Sequence, residues 1–187
     1  PTPDTLSPIM PAPLLEVRDL AVEFTTEGGI ARAVDGISFE IRPGEVLGVV
    51  GESGCGKSVT AMSLLRLIPS PPGRIASGSV LFQGRDLLQL PLTELRKVRG
   101  RQVSMIFQDP MQSLSPLHRI GAQLVETVLL HRAVSPQEAW TLSRDWLAKV
   151  GIPDPDQRMQ SYPFELSGGM RQRVVIAMAL MLEPDLV

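Results

Sequence analysis

Gly51-Glu52-Ser53-Gly54-Cys55-Gly56-Lys57-Ser58 stands between an apolar run, Glu45-Val46-Leu47-Gly48-Val49-Val50, and a segment with helical spacing, Thr60 to Ile68. The eight residues fit the pattern Gly-x4-Gly-Lys-Ser. Glycines let backbone amides turn inward and approach an anion without Cβ atoms in the way. The loop ends where a helix begins, and there the unpaired amides and the helix dipole favour negative charge. Lys57 adds a positive charge for β- and γ-phosphates, and the Ser58 hydroxyl is placed to ligate Mg²⁺. These features predict a cradle for the phosphates of a nucleotide, read as ATP. The bland alternative, a plain glycine turn, is disfavoured by the strand–loop–helix context. Cys55 fills a free position of the motif, either as a small tolerated side chain or as a reactive thiol at a helix N-terminus.

Outward from the loop, residues 45–50 are apolar on both faces, which predicts a buried strand inside a mostly parallel sheet. Pro43-Gly44 marks a turn before it. Further back, Leu14 to Phe24 and Ala33 to Ile41 are β-like runs broken by Gly28-Gly29. Residues 1–13 carry five prolines among small polar residues and predict a disordered tail. The printed chain starts without Met, which suggests a processed or partial chain.

Toward the C-terminus, Pro69 to Gly73 closes the first helix. Val80 to Gln83 and Gln102 to Phe107 are expected strands, and Leu92 to Val98 a helix with Thr93 as its cap. Ile120 to Leu130 is helical. Ser135 to Val150 is helical with a capping box, Ser135 to Glu138, Pro136 at its first position and Gly151 as its stop. A last helix over about Gly168 to Leu182 is apolar on every side from Val174 and is expected to be buried. Pro184 ends it, and Asp185-Leu186-Val187 opens a further strand.

The chain has 187 residues, 43% of them apolar and 20% charged, with a net charge of −2. This describes a globular chain long enough for a core. It gives no electrostatic case for nucleic acid, whose binding domains are usually basic. The run Arg96, Lys97, Arg99 and Arg101 reads as a solvated helix face. A single cysteine excludes an internal disulfide. The longest apolar run, Val174 to Leu182, is far short of the roughly 20 residues a membrane helix needs, so membrane association is expected only through a partner. No signal peptide is visible.

Leu166-Ser167-Gly168-Gly169-Met170-Arg171-Gln172-Arg173 opens the last helix, with Ser167 as N-cap and two glycines exposing amides behind it. Alone this is a capped helix start. Together with the phosphate loop it resembles the nucleotide-binding domain of ABC transporters, whose signature is Leu-Ser-Gly-Gly-Gln or a close variant. Tyr162-Pro163-Phe164-Glu165 before it, Gly51-Glu52-Ser53-Gly54, and Ser104-Met105-Ile106-Phe107-Gln108-Asp109-Pro110 resemble in particular the ATP-binding subunits of dipeptide and oligopeptide (peptide/nickel) importers. Two departures are Met170, where Gln is commonest, and Phe164, where those subunits usually have His. The resemblance covers Leu14 to Val187.

The resemblance implies an α/β fold. It has a P-loop NTPase core of the ABC type, an antiparallel β subdomain, and a helical subdomain over about 112–165 that docks on transmembrane permease subunits. It assigns Gly51, Glu52, Ser53, Gly54, Cys55, Gly56, Lys57 and Ser58 to the phosphates of ATP, with Lys57 catalytic. Gln108 becomes the glutamine that reaches Mg²⁺ or the attacking water and links the site to the permease; by itself it is an ordinary turn residue. Phe24 takes the place of the aromatic that stacks on adenine, with a core phenylalanine as the alternative. Ser167, Gly168 and Gly169 contact the γ-phosphate of ATP held by a second nucleotide-binding domain, identical or not. Ser58 and Gln108 are the metal residues. The location implied is peripheral, on the cytoplasmic face of the inner membrane, with a solute-binding protein as indirect partner.

The family's Mg²⁺-binding Asp, catalytic Glu, D-loop and switch His lie after the signature helix. Neither His118 nor His131 does. The chain as printed is therefore expected to bind ATP but hydrolyse it poorly, and to leave apolar surface uncovered, including part of the 174–182 helix. Two other classes stay open: a soluble ABC-type ATPase acting on nucleic acid or the ribosome, and a non-catalytic ATP-binding fragment.

Overall fold

A computed structural model describes residues 12–109 and 113–187. The chain divides into two compact units, Pro1–Leu95 and Arg96–Val187. Most of the tail expected over 1–13, Pro110 of the 104–110 stretch and residue 112 lie outside the described residues.

The first unit is built on a four-stranded antiparallel sheet of order β2-β1-β3-β4. β1 (Leu15–Thr26) and β2 (Gly29–Ile41) form the hairpin expected around Gly28-Gly29, closing at Thr26↔Gly29. β3 (Gly73–Phe82) pairs along β1 and starts well before the expected Val80; the two-residue β4 (Arg85–Asp86) pairs only with its end. Leu15, Val17, Leu20, Val22, Val80 and Phe82 are buried and form the apolar side of this layer.

α1 spans Lys57–Leu64, starting before the expected Thr60 and ending before Ile68. Its end has a local cause. Leu67 N–H donates to Met62 O and Arg66 N–H to Ser63 O, with Arg66 left-handed at φ 52°. That is a Schellman stop, here without glycine. α2 spans Leu92–Val98 as expected, but it opens at Pro91, whose carbonyl accepts from Glu94 and Leu95. Thr93 thus sits inside the first turn and is not the cap.

Two expected strands are corrected. Residues 45–50 form no strand, and Val46 and Val50 are 94% and 92% exposed. A strand needs a hydrogen-bonded neighbour along its edge, and one that is apolar on both faces also needs layers over both faces to be buried; among the described residues nothing pairs with this run. Residues 102–107 form no strand either. Val103 makes single parallel bridges to Arg99 and Leu186, and Ser104 N–H donates to Leu186 O at 2.9 Å. The expected strand opening at Asp185–Val187 is this contact.

The second unit is helical: α3 (Ile120–His131), α4 (Pro136–Lys149), α5 (Pro155–Gln160), a 3₁₀ turn (Pro163–Glu165) and α6 (Gly168–Leu180). α5 carries too few apolar positions to show periodicity, and the sequence reading missed it. The capping box of α4 forms: Glu138 N–H donates to Ser135 Oγ at 3.2 Å, and Ser135 N–H to Glu138 Oε2 at 2.8 Å. Gly151, at φ 75°, takes the left-handed position after α4. Ile120, Leu124 and Val128 of α3 pack with Ala139 and Leu147 of α4 and with Val174, Val175 and Ala177 of α6. In the apolar stretch 174–182, Val174, Val175, Ala177, Ala179, Met181 and Leu182 are buried, while Ile176, Met178 and Leu180 stay partly exposed; other uncovered apolar residues include Val46, Val49 and Val50.

Candidate functional site

Gly51 to Cys55 are exposed, Gly56 and Lys57 are half-buried, and α1 begins at Lys57 with no side chain capping it. Gly56 has φ 95°, and a Cβ there would lie 2.3 Å from Ala33 O of β2. Only glycine admits both the conformation and the approach. The loop is thereby seated on β2. A Cβ on Gly51 would meet Cys55 Sγ at 2.6 Å, so Cys55 occupies space that Gly51 leaves open.

Lys57 arches back over the loop: its Nζ donates to Gly51 O at 2.7 Å and Glu52 O at 2.6 Å, and lies 3.5 Å from Cys55 Sγ. Ser58, the next residue of α1, is exposed. A glycine cradle, an uncapped helix start, an ammonium and a hydroxyl now share eight residues, and this donor set fits a polyphosphate with its cation. Among the described residues no group of three His, Cys, Asp or Glu could hold a metal by itself.

Phe24 lies on β1 opposite Ala31 of β2 and Gly73 of β3. Side chains alternate along a strand, so Phe24 shares a face with Val22 and with Val34, the partner of Val22. Val34 Cγ2 is 3.5 Å from the Cβ position of Gly56. Phe24 is thus on the face where the loop sits. It is half-buried, and its ring stands 2.9 Å from the Cβ position of Gly73. On the opposite face, Glu23 is buried between Arg74 (2.6 Å) and Arg32 (3.2 Å), one from each flanking strand. Nothing in the sequence marks this triad, because its members are brought opposite one another by register alone.

Gln108 and Ser167 to Gly169 lie in the second unit, all exposed. Ser167 caps α6, its Oγ accepting from Met170 N–H at 3.3 Å. Leu166 is buried beneath it and Met170 packs on the helical core. A Cβ on Gly168 or Gly169 would meet nothing within 4 Å. The packing of this chain therefore does not require glycine at either place. His118 and His131 are placed elsewhere: His118 Nδ1 is 2.9 Å from Ser115 Oγ, and His131 ends α3. Burial, and secondly Arg101, hold the His131 imidazole below its ordinary pKa.

No helix among the described residues is long and apolar enough to cross a membrane. The profile of the ABC transporter family matches residues 34–187. The oligopeptide transport ATP-binding protein OppD of Escherichia coli is 52% identical over 174 residues, 93% of this chain and 51% of that protein. The peptidoglycan transport ATP-binding protein YejF of Agrobacterium fabrum is 53% identical over 175 residues, 94% of this chain and 32% of that protein. The chain thus spans about half of the length of the first of these curated relatives and about a third of the second. A solved bacterial ABC transporter cassette, described as dimeric, shares the fold with a TM-score of 0.79 at 24% identity, over 91% of this chain and 70% of that one. With the profile covering most of its length and the loop and capped signature helix both in place, this chain belongs to the ABC transporter family.

Proposed function

We propose that the chain is the ATP-binding part of a subunit that energises an importer of di- or oligopeptides, through ATP binding and hydrolysis at a dimer interface. The observation that carries the proposal is the Gly51–Ser58 cradle, seated on β2 through Gly56 with Lys57 across its mouth. Relatives of about 50% identity named for oligopeptide and peptidoglycan transport support the solute class.

In this reading the loop amides and Lys57 hold the β- and γ-phosphates, and Lys57 exchanges its bonds to Gly51 O and Glu52 O for phosphate oxygens. Ser58 would hold a Mg²⁺ ion, which when bound would supply neutralisation of phosphate charge, and Gln108 would help to position the water. Phe24 stacks on the base. Ser167, Gly168 and Gly169 serve the nucleotide of a second nucleotide-binding domain; their open surroundings leave room for that approach. The helical part docks on permease subunits, so the protein sits peripherally at the cytoplasmic face of the inner membrane and meets a solute-binding protein only through them.

The carboxylates after α6 are Glu183 and Asp185. A polypeptide limited to these 187 residues is expected to bind Mg-ATP and turn it over slowly, since loss of one aimed catalytic group costs about 10²–10³ in rate. Titration with a fluorescent ATP analogue, phosphate release, and co-purification with permease subunits test the proposal together. Absence of nucleotide binding defeats it, and capture of ribosomes or DNA instead of permease replaces it with a soluble ATPase. Turnover at the rate of an intact transporter defeats the expectation for the 187 residues.

A further inference from the structure

Gln123, in the first turn of α3, is only 9% exposed. Its amide makes three bonds to one short segment. Oε1 accepts from Ser115 N–H at 2.8 Å, and Nε2 donates to Ser115 O at 3.0 Å and His118 O at 2.9 Å. The pattern requires one acceptor and two donors on one planar group. Glutamate cannot donate, and leucine can do neither.

The clamped segment follows Gln108 closely. Seven steps along the chain separate Gln108 from Ser115, the first clamped residue, a reach of at most about 25 Å. On the other side of Gln108, Ser104 is bonded to Leu186, and Arg101 Nη1 donates to His131 O at 2.9 Å. His131 is the last residue of α3, and its ring stands 3.3 Å from the Cβ position of Gly100. One helix, about 18 Å long, thus holds the chain on both sides of Gln108: its last residue before, and Gln123 after.

We infer that Gln123 is a positioning residue for the Gln108 segment, and that its amide clamp carries the response of that segment to nucleotide. The second half of this statement rests on the proposal that Gln108 serves a bound ATP. The first half does not.

The test is hydrogen exchange on the 187-residue chain as wild type, Gln123→Leu and Gln123→Glu, with nucleotide affinity measured in parallel. Without nucleotide, Gln123→Leu is expected to speed exchange about tenfold in both 113–119 and 102–109, the effect of losing one or two net hydrogen bonds. Gln123→Glu, which keeps the acceptor, falls between and serves if the leucine variant does not fold. With Mg-ATP, exchange at 102–109 slows in the wild type but not in Gln123→Leu. The affinity of the two differs by less than about twofold, because the contacts come from Gly51–Ser58. A rise confined to 113–119, with 102–109 unchanged, overturns the inference. A wild type that binds no ATP defeats the proposed function instead, and the nucleotide-free comparison then decides the role of Gln123 alone.

Discussion

Lys57 concentrates the chemistry of the loop in one side chain. Hydrogen bonds to charged groups contribute roughly 1.5–3 kcal/mol, so Lys57→Ala is expected to weaken Mg-ATP binding about 10- to 100-fold. Equal affinity in a fluorescent-nucleotide titration would contradict the placement of the phosphates. Gly56 answers to sterics instead. Gly56→Ala puts a Cβ 2.3 Å from Ala33 O at φ 95°. The backbone conformation alone costs roughly 1–3 kcal/mol, and the clash adds to it. A thermal scan should show a clear loss of stability, and an unchanged transition would mean that the loop is not seated on β2.

The helices of the second unit depend on caps as well as on their apolar faces. Ser135→Ala removes the acceptor for Glu138 N–H and is expected to cost about 1 kcal/mol, read from denaturant unfolding. The backbone and hydroxyl of Ser135 hold the Glu138 carboxyl below its ordinary pKa. A depressed carboxylate contributes stability above the ordinary range and loses it as pH falls through the folded value. The first turn of α4 should therefore lose protection, relative to the intrinsic exchange rate, on acidification, and Glu138→Gln should remove that dependence. His131 acts in the same direction with a different sign of charge. Its imidazole is held below the ordinary value by burial and then by Arg101. Below the ordinary histidine range the unfolded chain takes up a proton that the folded one resists, so stability falls as pH drops through that range. His131→Asn should flatten the effect in a melting-temperature series between pH 7 and 5.

For the whole molecule, ligand linkage gives a direct measurement. If only the folded chain binds Mg-ATP, nucleotide at 100 times its dissociation constant stabilises the fold by about 2.7 kcal/mol, and a calorimetric scan should show the shift. Hydrogen exchange should also separate residues 45–50 from β1: Val46 and Val50 are exposed and outside any ladder, so their amides should exchange nearly as fast as free peptide. Slow exchange there would show a pairing that the structure lacks. The sequence was sufficient wherever the signal is local. The glycine turn of 51–58 leading into α1, the Ser135–Glu138 box, the Ser167 cap and the hairpin at Gly28-Gly29 all rest on residues a few positions apart, since turns and caps are settled within one or two turns of chain. The tertiary structure decided what depends on residues far apart. An apolar run such as 45–50 becomes a strand only with another strand beside it to complete the ladder. Phe24 lies on the loop face, and Glu23 between two arginines, through strand register. Gln123 looks like any polar helix residue until the fold brings Ser115 and His118 to its amide, because a hydrogen bond between segments leaves no periodic trace in the sequence.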